Sequence, residues 1–233
     1  MSDGHRAETL ALRGGRLRYL ARRAIDAACA AAIVASVWLI WTGRSRGGVE
    51  ARHAVREPGW RDAVRIASFA SNGAKDTLLI FSDYQCPGCR TLHRRLDTWM
   101  RQEGRALSVG ILHFPLSYHP QAAKAAMAAE CGAVVGSFAI VHNALMDSAS
   151  RVDGGDLSFL QHLLPPGARD GYSACVRESA PNPRVIAGLR VGESIAIDGT
   201  PTVFLNGWRV DPPTSQSVLN KWLDKSHAGL PTY

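Results

Sequence analysis

Cysteines are scarce in this chain, five in 233 residues, and only two of them lie close together. There is no second Cys-x-x-Cys and no His-x-x-x-His, so the paired ligand clusters of a structural zinc site are missing. No internal repeat or low-complexity segment occurs beyond a few alanine-rich runs, which leaves out repeat architectures. A basic excess is also missing from most of the chain. Residues 1–56 carry ten arginines against four acids, a net of +6, whereas residues 57–233 hold seventeen basic and sixteen acidic residues, a net of +1. The overall charge of +7 thus belongs to one end. The near-neutral remainder argues against nucleic-acid binding.

Charge is absent altogether from 27 to 43, inside the apolar stretch 24–43. That is just long enough to cross a bilayer as a helix with snorkelling ends, and Trp38 and Trp41 suit an interfacial belt. Arg6, Arg13, Arg16, Arg18, Arg22 and Arg23 precede it, so the positive-inside rule makes 1–23 a cytoplasmic basic tail and exports the chain beyond residue 43. Arg44, Arg46, Arg52 and Arg56 on the far side weaken this asymmetry without reversing it. A cleavable signal peptide is the rival, but no small-x-small site comes after the stretch and Gly43-Arg44-Ser45-Arg46 suits cleavage poorly, so an uncleaved signal anchor is favoured. The expectation is a single-pass protein of the inner (cytoplasmic) membrane with its domain on the extracytoplasmic, periplasmic side, an oxidising space. Cys29, among alanines in the apolar stretch, reads as a small packing residue.

The chain does have Cys86-Pro87-Gly88-Cys89, between the apolar run 78–81 and a helical pattern with Leu92, Leu96, Trp99 and Met100 on one face. This spacing puts the cysteines in a helix's first turn, where Pro87 needs no N–H. Free backbone N–H groups and the positive end of the helix dipole favour an anion there, so the upstream thiol should ionise readily. Thiolate is the attacking species in disulfide exchange. Cys86 is therefore the candidate nucleophile and Cys89 the resolving thiol. The spacing also suits half a zinc site, but with no second ligand cluster redox chemistry is the stronger reading, and no metal or cofactor is assigned.

After a polar linker at 44–70, strands are expected at 77–82 and 106–114, the latter alternating Leu107, Val109, Ile111 and His113 on one face. With the cysteine helix between them, this is a right-handed β-α-β unit with parallel strands. From about 120 to 192 the chain turns alanine-rich and helical, a helical insertion broken at Pro165-Pro166-Gly167. Strand pattern returns at 202–205, turns at Asn206-Gly207 and resumes at 208–210, a hairpin signal. A last helix comes after Thr214, with Val218, Leu219, Trp222 and Leu223 on one face.

This order of elements, with Phe81-Ser82-Asp83-Tyr84-Gln85-Cys86-Pro87-Gly88-Cys89, His113-Phe114-Pro115-Leu116, His119-Pro120, Ala125-Ala126 through Cys131, and Gly199-Thr200-Pro201-Thr202-Val203-Phe204-Leu205-Asn206-Gly207, resembles the DsbA-like branch of the thioredoxin superfamily. The resemblance covers about 70–230. It implies an α/β thioredoxin fold over 71–233 with an inserted α-helical domain, preceded by a single transmembrane helix. It also implies a cis Thr200–Pro201 bond in a loop that faces the cysteines and pairs with substrate backbone. The implied activity is extracytoplasmic thiol-disulfide oxidoreduction, introducing disulfides into exported proteins. The implied electron partner is a quinone-linked membrane protein of the DsbB or vitamin K epoxide reductase type. Strongly oxidising members carry a histidine between the cysteines. Pro87-Gly88 offers no side-chain donor, so the Cys86 thiol is expected below a free cysteine but not at the family's extreme.

Other residues carry open alternatives. Cys131 and Cys175 can pair as a structural disulfide in an exported domain or remain buried free thiols. Asp83 can tune the thiol, relay a proton or bond local backbone. His93 reads as a solvated helix residue, and His119 marks the edge of the insertion. Two rival functions stand beside the oxidase: a reductase of particular exported proteins such as apocytochromes, and a noncatalytic metal-handling or client-binding module on the same fold.

Overall fold

Two strands that are apolar on both faces set the architecture, since such strands must be covered from both sides. They are β2 (Thr77–Ser82) and β3 (Ser108–His113), paired in parallel from Thr77 opposite Ser108 to Ser82 opposite His113. The computed structural model describes residues 57, 59–71, 73–103, 107–178 and 182–228, together with Ala32, Ala35 and Ser36, all three helical. The expected basic tail and the rest of the expected anchor lie outside the described residues, as does Cys29. Among the described residues no helix is long and apolar enough to cross a membrane.

Upstream lie α1 (Trp60–Ile66) and β1 (Ser68–Ser71), where the sequence pattern reads as linker. Ala63 and Ala67 are buried against the sheet, with Val64, Ile66 and Phe69 packed partly buried beside them, and β1 pairs antiparallel with β3 through a bulge. Between β2 and β3 runs α2 (Pro87–Glu103). Four helical segments come next, α3 (Ala122–Val134), α4 (Phe138–Asp147), α5 (Ala149–Asp153) and α6 (Leu160–Leu163), then α7 (Pro166–Glu178), which starts on the proline of the expected break. Proline is at home at a helix's first position because its N–H would be unpaired there.

The next helix, α8 (Pro183–Ser194), falls in the region read as insertion but lies on the sheet. Asn182 caps it, accepting from the Arg184 N–H at 2.8 Å. Gly188 allows the close approach, since a Cβ there would stand 2.5 Å from the His113 carbonyl oxygen. Then β4 (Thr202–Leu205) pairs antiparallel with β2, and β5 (Trp208–Val210) with β4. The turn between them has Asn206 at φ 50° and Gly207 at φ 91°, the left-handed pair that tight hairpins need. The chain's last described helix is α9 (Gln216–His227), whose Ser215 cap accepts from the Val218 N–H at 3.3 Å.

The sheet order is β1-β3-β2-β4-β5, and its strands divide two cores by their period of two. Leu78, Ile80, Val109, Ile111, Val203 and Leu205 face α2, α9 and the helical insertion. Leu79, Phe81, Leu112 and Phe204 face the α1 and α8 side. The carboxyl end of β2 thus delivers the chain directly into the cysteine motif.

Candidate active site

Four residues connect β2 to α2, and the backbone closes over them at once. The Cys86 N–H donates to the Asp83 carbonyl at 3.2 Å, and the Arg90 N–H donates to the Cys86 carbonyl at 3.2 Å. Cys86 therefore sits at the cap of α2 with Pro87 in the first position, and the N–H groups of Gly88 and Cys89 turn toward its sulfur. Both cysteines are free thiols; Cys86 keeps 7% of its surface exposed and Cys89 3%.

The two thiols are driven apart in acidity. Cys86 is lowered to about 5, first by the hydrogen bond from the Cys89 thiol, against the opposing cost of burial, then by the Thr200 side chain and the Cys89 and Gly88 N–H groups. Cys89 is pushed far up, first because it holds its proton toward Cys86 and then by burial. The result is one ready thiolate and one thiol that retains its proton.

The other wall of the site comes from the loop before β4. The Thr200–Pro201 peptide bond is cis, and a protonated Cys86 Sγ–H donates to the Thr200 carbonyl at 3.2 Å. Thr202 Oγ1 ties the loop back by donating to the Gly199 carbonyl at 2.8 Å. Gly88 faces Pro201 so closely that a Cβ would lie 3.0 Å from the proline Cδ and 3.7 Å from Cys86 Sγ. Cys86, Cys89, Thr200 and Pro201 thus converge, although more than a hundred residues separate the two segments.

Asp83 is buried and fully engaged. Its carboxylate accepts from the Gln85 N–H at 2.7 Å and the Leu116 N–H at 2.8 Å, and meets His119 Nδ1 at 2.8 Å. These contacts pin the loop before the cysteines to the loop after β3. Of its open roles, the geometry supplies the backbone-bonding one. His119 is its partner, at the insertion's edge.

Several buried polar residues near the site escape a reading of the sequence. Arg90, next to Cys89, is 6% exposed and makes a bidentate pair with Asp153 at 3.0 and 2.8 Å, fastening α2 to the helical insertion. Asp153 also accepts from Gln85 Nε2 at 3.2 Å. Glu130 is 1% exposed, 2.7 Å from His113 Nε2 and bonded by Ser68 Oγ at 2.6 Å. Burial raises its pKa, but the His113 and Ser68 bonds and the Arg184 charge outweigh this and leave it lowered. A glutamate directly after the alanine-rich run 122–129 and beside Cys131 is the one local signal. His142 is fully enclosed, 2.9 Å from the Tyr84 hydroxyl, and burial holds it well below the usual imidazole range. His93 is not solvated: its side chain is 14% exposed and its ring meets that of His142 edge-on at 5.3 Å.

Cys131 of α3 and Cys175 of α7 are joined by a disulfide, with Cα atoms 5.6 Å apart. Among the described residues no group of three or more His, Cys, Asp or Glu side chains is placed to hold a metal ion. The arrangement as it stands suits thiolate attack on a sulfur held beside Pro201.

A family model described as thioredoxin matches residues 70–225. The Na(+)/H(+) antiporter NhaA 1 of Mycolicibacterium vanbaalenii is 27% identical over 151 residues, 63% of this chain and 24% of that protein. The chain thus spans about a quarter of the length of the curated relatives it matches. Among solved structures, a thioredoxin-like oxidoreductase from Silicibacter pomeroyi superposes with a TM-score of 0.58 at 20% identity, over 72% of this chain and 98% of that one. The thiol-disulfide exchange protein α-DsbA2 from Wolbachia pipientis gives 0.58 at 14% identity, over 72% and 91%. At these identities the likeness is one of fold, including the helical insertion.

Proposed function

The chain belongs to the thioredoxin family, and from that premise we propose that it is a protein thiol-disulfide oxidoreductase working mainly as an oxidase of exported proteins. The observation that carries the reading is the Cys86 sulfur, lowered to about 5 and held 3.2 Å from the Thr200 carbonyl beside Pro201. The Silicibacter and Wolbachia proteins, named as an oxidoreductase and a thiol-disulfide exchange protein, support the same chemistry.

In the oxidising direction a substrate thiolate attacks Cys86 of the Cys86–Cys89 disulfide. The S–S bond breaks, and Cys89 leaves with the electron pair and takes a proton, which its raised pKa favours. A second substrate thiolate then attacks the substrate sulfur of the mixed disulfide. Cys86 leaves as a thiolate, a good leaving group at about 5. The substrate loses two electrons and the enzyme ends as a dithiol. The Thr200–Pro201 segment offers backbone beside the reacting sulfur, where an extended substrate chain can align.

In this proposal the anchor at 24–43 holds the domain on the extracytoplasmic face of the inner membrane, and a quinone-linked membrane protein of the DsbB or vitamin K epoxide reductase type restores the disulfide. The test is the redox state in the cell. Acid quenching and thiol alkylation should find Cys86 and Cys89 mainly as a disulfide, and a Cys89→Ser chain should retain exported proteins as mixed disulfides on Cys86. A pair held as dithiol at steady state would instead make the protein a reductase, and a chain that traps nothing would point to the noncatalytic module.

A further inference from the structure

Beside Cys89, lined by residues of α2, α4 and the first three strands, lies a cavity of about 190 Å³. Cys89, His93, Ser82 and His142 all line it. Cys89 and His93 stand one helical turn apart on the same face of α2. Its walls are mixed: Ile80, Leu92 and Met146 are apolar, but Ser82, His93, Asp97 and Asn143 offer polar partners, and the volume has room for several waters beside them. Resting on the disulfide-exchange reading above, we propose that His93 accepts, through water in this cavity, the proton that Cys89 must lose to attack a mixed disulfide on Cys86.

The geometry selects His93 over its neighbour. His142 is sealed in, and the charged groups acting on it are His93 and His113, which oppose a cation. His93 has carboxylates on both packed elements: Asp147 of α4, 3.7 Å from its Nε2, and Asp97 of its own helix. Arg94 and Arg101, also on α2, act the other way, and burial is the largest influence, lowering the imidazole below its usual range. It is therefore neutral and able to accept at neutral pH. Its 14% exposure, with Asp147 61% exposed beyond it, gives the proton an exit to solvent. His142, edge-on at 5.3 Å, fixes the ring.

In the resolving step the Cys89 S–H bond breaks and its proton passes by water to the His93 ring. The Cys89 sulfur forms a bond to Cys86 Sγ, and the Cys86–substrate bond breaks, its electron pair leaving with the substrate thiolate. In the oxidising direction the same route runs backward, with imidazolium returning a proton to the departing Cys89.

Dithiobisnitrobenzoate, a chromogenic aromatic disulfide, separates the two thiols in one experiment on the full chain in detergent, with Cys86 and Cys89 reduced, the Cys131–Cys175 bridge intact and Cys29→Ser so that only the active pair reacts. The first thionitrobenzoate reports attack by Cys86, and the second reports resolution by Cys89. His93→Gln should leave the first phase unchanged and slow the second by about 100-fold, the usual scale of a lost proton acceptor. In the parent chain the second phase should rise with pH to a plateau above an inflection below about 6.5. In His93→Gln it should keep climbing in proportion to hydroxide. Asp147→Asn should fold whatever becomes of His93→Gln, because its carboxylate is largely exposed, and it should move the inflection to lower pH. An unaltered second phase in His93→Gln, or an unmoved inflection in Asp147→Asn, overturns the proton role while leaving Cys86 chemistry intact. Absence of the first phase in the parent chain overturns the disulfide-exchange reading, and this proposal with it.

Discussion

Because Cys86 is lowered to about 5 while Cys89 is driven far up, reduction of the pair between those values takes up one proton, not two. The perturbation that reveals this is pH. For a two-electron couple each proton taken up contributes about 30 mV per pH unit. The midpoint potential should therefore fall by about 60 mV per unit below pH 5 and by only about 30 mV per unit above it. At pH 7 the thiolate stands two tenfold steps above its midpoint, and an ordinary cysteine near 8.5 none. This stabilises the reduced form by about 3 kcal/mol, or about 60 mV in the oxidising direction. The folding linkage has the same sign. The folded Cys86 value lies below the unfolded one, so its stabilisation of the reduced protein is complete above about 8.5 and is lost as pH falls through about 5. Equilibration with glutathione buffers at stepped pH, scored by alkylation, measures the slope. A decline of about 60 mV per unit continuing through pH 7 would mean a protonated Cys86 and would refute the assignment.

Two other substitutions test the frame around the thiols. Asp83→Asn removes the charge that meets two N–H groups and His119; it should lower unfolding free energy by roughly 2–3 kcal/mol in urea yet leave the Cys86 titration where it was. A shifted titration with unchanged stability would make Asp83 a tuner of the thiol after all. Replacing Cys131 and Cys175 together by alanine opens a loop of sequence separation 44 and should cost about 3–4 kcal/mol on chain-entropy grounds. Equal denaturation midpoints for the two proteins would show that the bridge contributes nothing.

The fold was legible in the sequence wherever periodicity was strong. The doubly apolar 78–81 run, the amphipathic face of α2 and the Asn206-Gly207 turn each carry local signals that tertiary structure does not override. Local pattern failed where small or polar residues did the packing. Ala63 and Ala67 bury α1 and its exit without any apolar run to advertise them, and Gly188 seats α8 on the sheet by what it lacks. At the site, the spacing of Cys86 and Cys89 was local and plain. Arg90 with Asp153, Glu130 with His113 and His93 with His142 each join residues from 17 to 63 positions apart. A solitary buried charge cannot be told from a solvated one until its partner is placed.

The dipeptide between the cysteines is a different case. Pro87-Gly88 contributes no side-chain donor, so a thiol below a free cysteine but short of the family's extreme is expected, and a value of about 5 agrees with this. The donors that act on Cys86 are the Cys89 thiol first, then Thr200 and the first-turn N–H groups that the helix start already implies. Thr200 is in reach because β4 pairs with β2, setting Thr202 opposite Phe81. Gly88 lets the loop come close, since a Cβ there would lie 3.0 Å from the Pro201 Cδ and the proline would have to give by a few tenths of an ångström. The acidity of Cys86 is thus set chiefly within the α2 cap, by Cys89 and the first-turn N–H groups, while the Thr200–Pro201 loop supplies the wall beside the sulfur. A larger residue at 88 that pushed this loop outward would move the backbone beside which a substrate chain aligns, so it should weaken mixed-disulfide formation while Cys89 still holds the Cys86 pKa down.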